Sequence, residues 1–132
     1  MDCRSVVEQY LVALSSRDPD SVTMLVTDDF VNEQTSSLGL STNGRPAYCE
    51  RLPGFLEQFN RLDYEIVDSI VQGNKVAVRY RMRAEVNQHQ IDIPGVMLFE
   101  VRDGLIARRT DLWDSLTFLR QTGAVEERTQ ER

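Results

Sequence analysis

From Lys75 to Val86 the chain alternates without a break, with Val76, Val78, Tyr80, Met82, Ala84 and Val86 on one side and Arg79, Arg81, Arg83 and Glu85 on the other. Successive strand side chains point to opposite faces, so this pattern demands a long strand with one buried face and one polar face. Gly73-Asn74 before it and the polar run 87–90 after it read as hairpin connections, and Asp103-Gly104 is a further turn signal. Strands are therefore expected over residues 64–71, 75–86, 91–101 and 105–116. Consecutive hairpins make an antiparallel sheet, and its apolar face has to be covered.

The covering elements come earlier in the chain. Ser5 and Glu8 have capping-box spacing, and Val6, Val7, Tyr10, Leu11 and Leu14 then recur at helical spacing. Asp18-Pro19 is a second helix start, an N-cap followed by proline in the first turn. That short helix carries Val22, Leu25 and Val26 and is expected to close at Asp28-Asp29. Residues 30–34 read as a first strand, and residues 35–44, rich in Ser, Thr, Gly and Asn, as a loop. Residues 46–60 look helical, with Tyr48, Leu52, Phe55, Leu56 and Phe59 on the apolar side, and Pro53-Gly54 is expected to kink or split that helix. Helices gathered ahead of an antiparallel sheet give the α+β class. A chain of 132 residues suits one domain, residues 1–125, and the charged residues 126–132 read as a disordered tail.

Composition removes several function classes. Apolar residues make up 41% of the chain, and no window approaches the run of about 18 that spans a bilayer. The opening MDCRSVVEQYLVAL has no basic leader, and polar residues interrupt its apolar run, so the expectation is a cytosolic protein without a membrane partner. A net charge of −6 argues against nucleic acid, which requires a basic face. Cys3 and Cys49 have no zinc spacing and read as reduced structural thiols. His89, the single histidine, sits in a polar hairpin tip and reads as a solvated turn residue. No metal cluster, phosphate loop or nucleophile elbow is present in the sequence, so neither metal nor cofactor is expected.

Three stretches, VVEQYLVALSSRDPDSVTMLVTDDFVNEQ, NGRPAYCERL and IPGVMLFEVRDGLIARRTDLWDS, together resemble the SnoaL-like, nuclear transport factor 2-like superfamily. The resemblance covers residues 6–119. It implies a cone: a strongly curved antiparallel sheet, a cystatin-like α+β barrel, covered by the N-terminal helices, with a ligand pocket inside. It also locates the functional positions of three related enzymes. Tyr10 matches the tyrosine with which ketosteroid isomerase stabilises an enolate. The base and the protonated aspartic acid of that enzyme fall at Gln34 and near Met97, and neither residue type does that chemistry. In limonene epoxide hydrolase, the second aspartate aligns with Asp111 and the water-holding tyrosine and asparagine with Asn32 and Gln34. Its arginine and first aspartate fall at Tyr80 and Met82, so half of that triad has no counterpart. The SnoaL polyketide cyclases keep an acid–base aspartate on the last strand, at the position of Asp111.

On the last strand Ala107, Arg109, Asp111 and Trp113 share one face. If that face looks into the cone, Arg109 and Asp111 lie side by side inside it. A neighbouring arginine favours an ionised carboxylate and burial opposes it, a balance suited to moving a proton next to a carbonyl or to holding a water. The alternative is a structural ion pair closing the narrow end. Tyr10 is either a site residue or a core tyrosine, and Asn32 and Gln34 are either ligand-binding amides or part of a satisfied core network. Phe55, Phe59, Tyr80, Met82, Met97, Phe99 and Trp113 are expected to supply an apolar wall. On the outer face, Arg79, Arg81 and Arg83 repel one another unless acids face them, and Glu65, Glu85 and Glu100 are the candidates. Many members of the superfamily pair through that sheet face, so the resemblance implies a homodimer, and Val96, Leu98 and Leu112 there support it.

These readings lead to a SnoaL-like, cofactor-independent enzyme acting on a small hydrophobic molecule such as a polyketide or terpenoid. Asp111 would be its acid–base group, assisted by Arg109, and the reaction would be a cyclisation, isomerisation or hydrolysis. The rival is a non-catalytic ligand-binding or dimerisation module on the same fold, since fold alone does not fix chemistry.

Overall fold

The computed structural model describes residues 2–126; most of the expected tail lies outside the described residues. Helix α1 spans Cys3–Ser16 and is capped by Asp2, whose side chain accepts from the Ser5 backbone N–H at 2.8 Å. The cap is thus three residues earlier than the Ser5/Glu8 spacing suggests. Val6, Val7, Tyr10, Leu11 and Leu14 are all buried, and Arg17 ends the helix in the left-handed region. Helix α2, Pro19–Thr23, is capped by Asp18.

Strand β1 spans Val26–Gln34 and so begins before Asp28-Asp29. Those acids do not stop a helix here. Their side chains project from the strand, where Asp28 pairs with Arg45 at 3.1 Å and Asp29 with Arg102. A two-residue strand β2, Thr42–Asn43, lies within the expected loop. Helix α3, Arg45–Glu57, is one helix with Pro53 inside it. Proline removes one N–H from the ladder, and the carbonyl it frees belongs to Cys49, which is exposed, so solvent can take up that acceptor.

Strands β3 (Arg61–Gln72), β4 (Lys75–Val86), β5 (His89–Arg102) and β6 (Leu105–Trp113) follow as a meander. The β5–β6 turn uses Asp103 and Gly104, both at positive φ, as a tight two-residue hairpin needs. The last strand stops short of Leu116, because Asp114 caps a fourth helix, α4 (Ser115–Gln121), accepting from the Thr117 N–H at 3.1 Å.

The sheet order is β2-β1-β6-β5-β4-β3. It is curved and open at both edges, so the barrel is not closed. It is also mixed: β1 pairs parallel with β6, while every other pair is antiparallel. Register shifts interrupt β1–β6, β3–β4 and β5–β6, and such bulges bend and twist strands. The shift in β5–β6 sets the phase of the last strand. Val101 faces Ile106 and Glu100 faces Arg108, which leaves Ala107 as the extra residue. Ile106 therefore points into the core, and Arg109 and Asp111 follow it on the same side.

Helix α1 lies across the inner face against β3, β4, β5 and β6, and α3 packs beside β1 and β2. On the outer face, Asp92 holds the arginine stripe together, pairing with Arg81 at 2.8 Å and Arg83 at 3.8 Å, while Glu65 pairs with Arg83 at 3.1 Å. Glu85 and Glu100 are engaged elsewhere, by Asn60 and Gln90 and by Lys75. Among the described residues, no helix is long and apolar enough to cross a membrane.

Candidate active site

A cavity of about 400 Å3 opens between α3, the inner sheet face, the segment 38–40 and Phe118 of α4. Its wall is mainly apolar and includes Leu52, Phe55, Phe59, Met82, Ile93 and Trp113. Arg51 and Gln58 add polar groups on the α3 side, and the polar end on the sheet is formed by Asn32 and Gln34 from β1, Tyr64 from β3, Tyr80 from β4 and Arg109 and Asp111 from β6. The parallel β1–β6 pairing brings this end together, since Asn32 stands opposite Arg109 and Gln34 opposite Asp111.

Arg109 and Asp111 form an ion pair, Nη2 to Oδ2 at 2.8 Å, with side chains only 4% and 6% exposed. The other carboxylate oxygen, Oδ1, accepts from the Tyr80 hydroxyl at 2.7 Å. Arg109 Nη1 donates to the Tyr10 hydroxyl at 3.1 Å, and Tyr10 shares a 2.5 Å hydrogen bond with Tyr48. Burial works against the Arg109 charge, but the oxygens of Tyr10 and Asp111 outweigh it and hold the guanidinium pKa above its ordinary value. A second chain of hydrogen bonds lines the β1 side: Trp113 Nε1 donates to Gln34 at 3.1 Å, and Gln34 donates to Asn32 Oδ1 at 3.0 Å.

Of the residues expected at the site, Asp111, Arg109, Asn32, Gln34, Phe55, Phe59, Tyr80, Met82 and Trp113 line the cavity. Tyr10, Met97 and Phe99 do not. Met97 faces Asp111 and Phe99 faces Arg109 across the β5–β6 ladder, so the polar side chains and α1 cover them. Phe99 packs edge-on to Tyr10 at 5.8 Å, and all three are at most 2% exposed. Tyr80 is more than apolar wall, because its phenol reaches the carboxylate. That reach depends on Gly95, its partner across β4–β5: a Cβ built there would collide with Tyr80 Cζ and Oη. Gly95→Ala is expected to push the ring off Asp111 and cost about 1–3 kcal/mol, read as a lowered urea midpoint. An unchanged midpoint would contradict this packing.

Tyr48, Tyr64, Ile93 and the segment 38–40 line the cavity without having been picked out as site residues by the sequence. Tyr64 had a usable signal, since Leu62, Tyr64 and Ile66 alternate on one strand face, but an alternating tyrosine reads as core. Burial raises the Tyr48, Tyr64 and Tyr80 phenols above their ordinary value of 10.0, and the Asp111 charge adds to this at Tyr64 and Tyr80. Because the folded-state ionisation lies above the unfolded one, these phenols contribute their stability in full below about pH 10 and lose it as the pH rises. Alkaline titration should therefore show tyrosinate absorbance at these positions only together with unfolding. Their ionisation near pH 10 in the folded chain would refute the burial assignment.

Among the described residues, no group of three or more His, Cys, Asp or Glu side chains is placed to hold a metal ion. A buried carboxylate with an arginine and a phenol beside it, at the end of an apolar hollow, is an arrangement suited to proton transfer and hydrogen bonding.

No curated protein matches the chain by sequence. Solved structures share the fold at low identity. A hypothetical protein from Catenulispora acidiphila with a ketosteroid isomerase-like fold, in complex with trimethylamine, superposes with a TM-score of 0.83 at 16% identity, covering 95% of this chain and 97% of that one. An epoxide hydrolase of M. tuberculosis, like limonene epoxide hydrolase, gives 0.78 at 22% identity, with 92% of each chain covered. A protein from Shewanella denitrificans, provisionally described as a SnoaL-like polyketide cyclase, gives 0.79 at 19% identity over 93% of this chain and 98% of that one. The family model of the SnoaL-like domain matches residues 7–109, most of the chain. By that match, and with the same open cone of sheet and helices, the chain belongs to the SnoaL-like domain family.

Proposed function

We propose that this protein is a cofactor-independent acid–base enzyme acting on a small hydrophobic molecule of polyketide or terpenoid type. The observation that carries the reading is the Asp111 carboxylate at the end of a largely apolar cavity, with Arg109 beside it as counter-charge. Asp111 takes a proton from a carbon next to a carbonyl. The C–H electron pair becomes the new C=C bond, and the C=O π pair moves onto oxygen. Returning the proton at the same or another carbon gives exchange or isomerisation; in cyclisation the enolate carbon bonds to a second carbonyl carbon, that carbonyl's π pair moves onto its oxygen, and the alkoxide takes the proton back from Asp111. Each carboxylate oxygen accepts one hydrogen bond and retains capacity for another.

A second reading has its own support. Both Asp111 oxygens already have a donor, as in a structural pair, which favours a module that binds ligand without chemistry. Deuterium exchange separates the two. With 2-tetralone in D2O, an enzyme accelerates exchange of the ketone α-protons over buffer, and the rate saturates with the quenching of Trp113, the single tryptophan. Quenching without exchange identifies the binding module, and neither response contradicts both readings.

The outer sheet face supports a homodimer as the working form. Val96, Leu98 and Leu112 are 37%, 46% and 42% exposed there, beside Arg79, which has no acidic partner among the described residues. Sedimentation equilibrium should give twice the chain mass for wild type and the chain mass for Leu98→Glu. A monomeric wild type would end this proposal.

A further inference from the structure

Helix α3 and the residues just after it turn one side to the cavity, and that side changes character from its depth to its rim. Tyr48, Leu52 and Phe59 line the cavity and are at most 3% exposed. Arg51 and Gln58 line it too but are exposed, so they stand at its mouth. Leu38 and Leu40, 44% and 64% exposed, bring apolar carbon to the same opening. Arg51 takes part in no ion pair among the described residues. An exposed helical arginine usually finds an acid one turn away, but the positions three and four residues from Arg51 are Ala47, Tyr48, Gly54 and Phe55. Asp111 is the one acid among the lining residues, and Arg109 already neutralises it. The charge of Arg51 is therefore uncompensated in the cavity lining, within a chain whose net charge is −6.

We infer that Arg51 is an anion-recognition residue at the cavity mouth, and that the ligand is an amphipathic carboxylate whose apolar body fills the hollow while its acid group meets the guanidinium. This rests on the reading of the cavity as a ligand site and on no chemistry at Asp111. The inner end is closed to the acid group, because Asp111 holds the Arg109 charge at 2.8 Å and a second carboxylate would face the first. At the mouth a carboxylate keeps part of its hydration, so little desolvation opposes the attraction. The planar guanidinium presents paired N–H donors that match the two carboxylate oxygens. One uncompensated cation balances one negative charge, which suits a carboxylate better than a phosphate dianion. Leu38 and Leu40 give the carbon next to the acid group apolar surface to cover. Held this way round, the ligand sends its uncharged end toward Asp111, so Arg51 selects and orients it from the opening.

4-Cyclohexylbutanoate and 4-cyclohexylbutanamide share one apolar body and differ in charge at about pH 7, and titration calorimetry against the full chain reads the affinity of each. Wild type should bind the acid about 3- to 30-fold more tightly than the amide at low salt, the effect of one charge-assisted pair at a partly solvated site. Arg51→Gln should cut that preference to about twofold or less and leave amide affinity within about twofold, since it removes charge and little apolar wall. Arg51→Lys should keep part of the preference, because the charge stays and the planar fork is lost. Raising the salt to about 0.5 M should shrink the wild-type preference by screening. A preference for the acid that persists unchanged in Arg51→Gln overturns the assignment to Arg51. Equal wild-type affinity for the two probes overturns the amphipathic acid while leaving the cavity as a ligand site. Binding of neither probe removes the ligand-site reading and this inference with it.

Discussion

Arg109→Met should cost the fold about 3–5 kcal/mol, because it strands a buried carboxylate without its counter-charge. The Arg109 and Asp111 side chains are 4% and 6% exposed, so water from the cavity compensates the lost partner only in small part. The substitution also removes a donor from the Tyr10 hydroxyl, but Tyr10 keeps its bond to Tyr48, so the loss centres on Asp111. Equilibrium urea unfolding reads the effect directly. Adding Asp111→Leu to Arg109→Met should restore most of the stability, since a buried ion pair exchanged as a whole for apolar groups is often neutral or better. If Arg109→Met alone were as stable as wild type, the pair would be solvated and the cavity wrongly drawn.

Much of the frame behind these expectations was legible in the sequence. The alternation of β4, the turns at Gly73 and Asp103-Gly104 and the apolar stripe of α1 are local signals, and local signals survive folding. What failed was non-local or ambiguous. Parallel pairing of β1 with β6 joins segments far apart in the chain, and no local pattern encodes it. Asp28-Asp29 looked like a helix stop, yet acids suit an exposed stretch of strand when Arg45 and Arg102 stand opposite. The run after Trp113 is apolar enough to extend a strand, but Asp114 caps a helix there instead.

The site divides in the same way. Phasing the last strand placed Arg109 and Asp111 on one face, although the bulge at Ala107 shifted the residues before them. The alternating positions Tyr80, Met97 and Phe99 could not be told apart by pattern. Which of them reaches the cavity depends on register. Tyr80 lies over Gly95 and extends to Asp111, whereas Met97 and Phe99, beside Asp111 and Arg109 on the next strand, are fully buried.

Asp111→Asn bears on the central claim, that one buried carboxylate moves protons in an apolar cavity. The amide keeps the shape of the side chain and an oxygen for the Tyr80 hydroxyl, but it is no base. The decisive measurement is the deuterium exchange rate of 2-tetralone, at concentrations that saturate Trp113 quenching, in wild type and in Asp111→Asn. The account predicts a fall of about 10²- to 10⁴-fold in the variant, the usual contribution of a positioned acid–base group, with quenching still saturable. Exchange as fast in Asp111→Asn as in wild type, at equal occupancy, would contradict it.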